Sequence, residues 1–133
     1  MIVGIGVDLV EVARLARALA RQGTRFERRV FTEAEIAACH ERTDRDRALA
    51  ARFAAKEACL KALGTGWSGG LGFSQIEVVR GVDGQPAIAL HGKAAALAKD
   101  RGIVRVHVSL THESTVAAAV VVLEGTDQPS AGS

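Results

Sequence analysis

Polar and apolar positions alternate with a period of two in several short stretches and follow helical spacing through most of the remainder. Ile2 to Asp8 reads as a strand, with Val3, Ile5, Val7 and Leu9 on one face and Gly4, Gly6 and Asp8 on the other. The apolar face is expected in the core. The glycine face leaves room for a ligand beside Asp8, although Asp8 equally suits the cap of the helix that follows. That helix is predicted from Val10 to Gln22, with Val12, Leu15 and Leu19 inward, and Gly23 interrupts it. Thr24 with Glu27, and Thr32 with Glu35, have capping-box spacing and predict two short helices.

A longer helix surrounds the stretch from Arg52 to Gly64, with Asp44 and Asp46 as start signals and Gly64 as the stop. Leu49, Phe53, Leu60 and Leu63 share one face, and Ala51, Ala54, Ala55, Ala58 and Ala62 cover the opposite one. Large apolar groups on one side and methyls on the other predict a central helix packed on both sides. Glu57 and Lys61 lie one turn apart at the edge of this rod. A surface ion pair would account for them, and so would a functional carboxylate, because a half-buried charge needs a partner or a metal.

Beyond Gly64, the glycine-rich run to Gly72 lacks the Gly-Lys-Ser/Thr ending of a phosphate-binding P-loop. Ile76 to Arg80 and Ala87 to Leu90 predict a hairpin around Val82-Asp83-Gly84-Gln85, and Lys93 to Arg101 a short helix. Val104 to His112 alternates valines with polar groups, whereas Thr115 to Leu123 is apolar on both faces and reads as a central strand. The fold class is therefore α+β, an antiparallel sheet wrapped around a long central helix. Ser109 and His112 form no hydrolase signature, since the Gly-x-Ser-x-Gly elbow is absent.

The length of 133 residues fits one domain, assigned to 1–124, with a polar tail over 125–133 expected to be disordered. No apolar run approaches the length needed to cross a bilayer, and the start carries neither a basic segment nor a cleavage signal. Cys39 and Cys59 have no metal spacing, which fits reduced thiols and a cytoplasmic location. Net charge is only +2, yet ten arginines and no lysine lie between Arg14 and Arg52. Guanidinium forks bind carboxylates and phosphates bidentately, and with aromatic content at 4% an acidic protein fits this surface better than nucleic acid.

Two segments carry a resemblance. Gly4-Ile5-Gly6-Val7-Asp8-Leu9-Val10-Glu11-Val12-Ala13-Arg14 is similar to the G-x-D-x-x-x-x-x-R opening of the holo-acyl-carrier-protein synthase group of 4′-phosphopantetheinyl transferases. Phe53 to Gly64 matches that group's F-x-x-K-E-x-x-x-K-A-x-G at every specified position, and Ser109-Leu110-Thr111-His112 fits the S-x-S/T-H of many members. The resemblance implies transfer of 4′-phosphopantetheine from coenzyme A to a serine of apo acyl carrier protein, with magnesium as the metal. It implies Asp8 and Glu57 as metal ligands and catalytic acids, and Lys61 as the active-site lysine. Gly64, Gly66 and His112, with Lys61, are expected to bind coenzyme A. The helix carrying Arg14, Arg21 and Arg25 is the expected docking face for the carrier protein. A homotrimer with sites between subunits is also implied, with no role for membrane or nucleic acid. The rivals are a non-catalytic trimeric binding protein that holds an acidic partner on its basic helix, and a magnesium-dependent phosphohydrolase.

Overall fold

The computed structural model describes residues 1–64 and 70–126. Strand β1 (Ile2–Glu11) leads into helix α1 (Val12–Val30), then α2 (Glu33–Cys39) and the long α3 (Arg45–Leu63). Strands β2 (Ile76–Arg80) and β3 (Pro86–Leu90) form a hairpin, followed by α4 (Gly92–Asp100), β4 (Ile103–His112) and β5 (Val116–Gly125). The last strand lies between β1 and β4, antiparallel to both, which places the doubly apolar segment at the centre of its sheet. Asp8 pairs with Ala119, and Ala119 with Leu110. The hairpin forms a second, two-stranded sheet.

Helix α3 packs against β1, β5, β4 and β2, and twelve of its 19 residues are buried, so both of its faces are covered as the alanine and leucine stripes require. It ends at Gly64, whose φ of 77° permits the cap in which its N–H reaches the carbonyls of Leu60 and Lys61. Gly23 breaks α1 with φ 70° and ψ −158°, a backbone region open essentially to glycine alone. Glu27 pairs with Arg45 of α3, while Thr32 and Glu35 form the complete capping box expected of α2.

One expectation is reversed. The glycine face of β1, not its aliphatic face, packs inward. A Cβ at Gly6 would lie 1.9 Å from the Ala58 carbonyl oxygen, and one at Gly4 would lie 2.3 Å from that of Ala62. Strand and helix backbones touch here, and only glycine allows it. The aliphatic stripe is consequently outside, with Val3 at 46%, Ile5 at 62%, Val7 at 61% and Leu9 at 70% exposure. Ala118, Val120 and Val122 of β5 lie in register with Leu9, Val7 and Ile5, so an apolar patch runs across two strands. A second adjustment concerns the tail. Gly125 is the last residue of β5 and its N–H donates to the Met1 carbonyl, so the ordered unit extends past 124. Residues 127–133 lie outside the described residues.

Candidate active site

Because β1 turns its glycine face to α3, the next residue on that face, Asp8, points at the same helix. It is 9% exposed. Its Oδ1 accepts a hydrogen bond from Lys61 Nζ at 2.7 Å, and that ammonium also donates to the Val7 carbonyl at 3.2 Å. The other oxygen, Oδ2, is buried with no donor among the described residues. Glu57, one turn before Lys61, completes the group. Burial, together with the facing Asp8 carboxylate that favours a protonated and hydrogen-bonding partner, pushes Glu57 up to about 7, against the pull of Lys61 and Arg14. The hydrogen bond to Asp8 raises Lys61 above its ordinary value and keeps it cationic.

Two carboxylates thus share a space that does not suit both charges. Among the described residues no group of three or more His, Cys, Asp and Glu side chains forms a complete metal cage. One or two carboxylates with an open remainder is the donor set that magnesium takes alongside phosphate and water. The residues present fit that ion.

A groove of about 460 Å³ opens from Glu57, lined by Leu9, Val10, Leu15, Ala18, Phe26 and Phe53, with Glu11 and Arg14 among its walls. Of the predicted docking arginines, Arg14 therefore borders the groove, and Arg21 and Arg25 are exposed farther along α1. Gly64 caps α3, one turn beyond Lys61. Gly66 lies outside the described residues.

His112 is elsewhere. It pairs with Ala117 on β5, which pairs in turn with Val10, so two strand spacings (about 10 Å) separate it from β1. It lines a smaller cavity of about 170 Å³ with Arg42, Arg52, Arg80 and Pro86. His112 Nδ1 and Arg52 Nε are buried there without partners among the described residues. His112 Nε2 lies 3.7 Å from Asp44, a partly buried acid that its bidentate bond to Arg42 holds down at about 2. Three arginines and an imidazole give this cavity a donor set suited to an anion. The arginine run already contained Arg42 and Arg52, but nothing in their spacing separates them from the docking arginines. Arg80 comes from another element altogether.

Lys56 was also hidden in the sequence. It sits beside Glu57 in the same motif, yet its side chain is fully buried and bound to Glu35 at 2.6 Å.

The profile of the 4′-phosphopantetheinyl transferase superfamily matches residues 4–121. The chain belongs to this superfamily. Among family members, the holo-[acyl-carrier-protein] synthase of Anaeromyxobacter dehalogenans is 52% identical over 128 residues, covering 94% of this chain and 98% of that relative. That of Koribacter versatilis is 46% identical over 124 residues, covering 93% and 99%. In three dimensions the chain resembles the Neisseria meningitidis enzyme of the same name, with a TM-score of 0.85, 35% identity, and 93% and 99% coverage. It also resembles the Bacillus anthracis synthase in complex with CoA (3′,5′-ADP), with a TM-score of 0.77, 34% identity, and 95% and 99% coverage. The α+β architecture read from the sequence is thus the family's.

Proposed function

We propose that this chain transfers 4′-phosphopantetheine from coenzyme A to a serine hydroxyl of apo acyl carrier protein, releasing adenosine 3′,5′-bisphosphate. The observation that carries the reading is the pairing of Asp8 with Glu57 and Lys61 at the mouth of an arginine-flanked groove. Glu57, poised at about 7, is matched to accept the serine proton at neutral pH. Lys61 holds the phosphate and offsets the negative charge that grows on it during transfer. Asp8 fixes the Lys61 ammonium through one oxygen, and its second, buried oxygen has no donor among the described residues. Asp8 and Glu57 would hold Mg²⁺, which when bound supplies charge neutralisation on the pyrophosphate.

Arg14, Arg21 and Arg25 steer an acidic carrier protein toward the groove, because rim charges act mainly on encounter. The cavity of Arg42, Arg52, Arg80 and His112 takes the phosphate-bearing nucleotide end of coenzyme A, supported by the buried Arg52 Nε–H and His112 Nδ1, neither of which has a partner among the described residues. Gly64 and Gly66, with Lys61, are the further residues we assign to coenzyme A binding. The exposed stripe Val3, Ile5, Val7 and Leu9 supports a homotrimer, with sites between copies because Asp8 lies on the strand that the stripe occupies. No helix of the described residues is long and apolar enough to cross a membrane. The two buried free cysteines support a cytoplasmic setting.

The deciding experiment is intact mass of an apo acyl carrier protein after incubation with this protein, coenzyme A and magnesium. A gain of one phosphopantetheinyl group, lost with EDTA, is expected. Binding of the carrier protein without any gain would instead favour a holding protein.

A further inference from the structure

We propose that Lys56 and Glu35 are a positioning pair for the transfer reaction, setting the wall of the Glu57 groove while touching no reactant. This rests on the function proposed above. Lys56 follows Phe53 by three residues and precedes Glu57, but it turns roughly 100° away from Glu57 around the helix. Both members of the pair have fully buried side chains. The Lys56 ammonium donates to Glu35 Oε1 at 2.6 Å, to the Phe73 carbonyl at 3.2 Å and to the Ile76 carbonyl at 2.5 Å. An ammonium has three protons, so none is left for a substrate. Glu35 in turn accepts the backbone N–H groups of Thr32 at 2.9 Å and Val78 at 2.8 Å.

Four segments therefore meet at one ion pair: α3, the first turn of α2, the turn at Phe73 and strand β2. The turn at Phe73 follows the glycine-rich run in the sequence. From there the Phe73 ring packs on Phe53 with centroids 5.0 Å apart and planes tilted by 58°. Phe53 lines the groove together with Glu57. The pair thus fixes Phe73, Phe73 fixes Phe53, and Phe53 forms the surface against which the carrier protein's serine is brought.

Stability alone is a weak reason for such a pair, because desolvation cancels much of the attraction and apolar residues of equal volume often serve as well. What an apolar pair lacks is direction. The bonds from Lys56 and Glu35 hold backbone groups at set positions, and small displacements of a reactant-facing wall have large effects on rate.

The test compares the wild-type chain with the double variant Lys56→Met/Glu35→Gln, which removes both charges together. Folding is followed by circular dichroism and thermal melting, coenzyme A affinity by calorimetry, and kcat and KM for an apo acyl carrier protein by intact mass. The folded variant is expected to lose about tenfold in kcat/KM for the carrier protein while its coenzyme A affinity stays within about twofold. Wild-type kcat/KM in the folded variant would overturn the proposal. So would a loss matched in proportion by coenzyme A affinity, which is the mark of general loosening. If the double variant does not fold, Phe73→Leu decides by the same criteria, since it keeps the ion pair and removes the ring contact with Phe53. Absence of transfer by the wild-type chain would overturn the function itself, and this inference with it. Transfer by wild type with an unaltered variant overturns the inference alone.

Discussion

Two lysines of α3, Lys56 and Lys61, each bind a carboxylate, at 2.6 Å and 2.7 Å respectively, and they serve opposite purposes. Every proton of Lys56 has a partner within the fold, and its side chain is fully buried, as is that of Glu35. Burial lowers Lys56 from its ordinary value, and Glu35 works against that shift. Lys61 is 57% exposed, Asp8 has a buried oxygen with no donor among the described residues, and the neighbouring Glu57 is pushed up to about 7. One cluster is closed. The other is incomplete without a ligand, and incompleteness of buried charge is what marks a site rather than a strut.

Substitution should separate the two clusters sharply. Asp8→Ala and Glu57→Gln are expected to reduce transfer to carrier protein by at least about a hundredfold while thermal unfolding changes little, because the open cluster contributes chemistry and not packing. Wild-type turnover in either variant would remove it from the reaction. Lys56→Ala acts in the other currency. It leaves Glu35 buried without its partner, and denaturant titration should find a loss of about 3–5 kcal/mol. The matching Lys61→Ala, in an exposed pair, should lower stability by about 1 kcal/mol at most. Equal losses for the two lysines would erase the distinction.

A smaller effect follows from pH. The fold raises Glu57 from 4.5 to about 7, so the native state holds a proton that the unfolded chain releases. Its contribution is therefore fullest below about 4.5 and is lost as pH rises through about 7. With partial solvent access that loss is on the order of 1 kcal/mol. Melting in chelator across this range should show the decline in wild type and a flatter profile in Glu57→Gln. A wild-type profile without decline would place Glu57 in a more hydrated setting. The mildest change concerns the rim. Reversing Arg14 and Arg21 to glutamate is expected to raise KM for the carrier protein severalfold, more at low salt than at high, with coenzyme A binding kept. Equal loss of both would end the docking role.

Much of the open cluster was legible in the chain. Asp8 at the end of a glycine-faced strand, and Glu57 and Lys61 on the edge of an apolar helix, follow from the periods of strand and helix alone. The structure brings those three together. The closed cluster was not legible, because Lys56 and Glu35 are 21 residues apart and only packing of α2 against α3 makes them neighbours. The same holds for Arg80, which joins Arg42, Arg52 and His112 only when the hairpin closes over α3.

The strand β1 marks the boundary between the two kinds of knowledge. Its sequence alone determined that one face is bare and the other aliphatic, that a carboxylate ends the bare face, and that a central helix carries a matching face of methyls. Which face turns inward was decided by tertiary structure. Period-two alternation labels two sides without assigning them, and burial of aliphatic surface favours the apolar side. Here the backbone of β1 meets the carbonyls of Ala58 and Ala62 so closely that no Cβ fits at Gly4 or Gly6. The methyl face of α3 therefore takes the glycines and, with them, Asp8, and the aliphatic stripe is left at the surface.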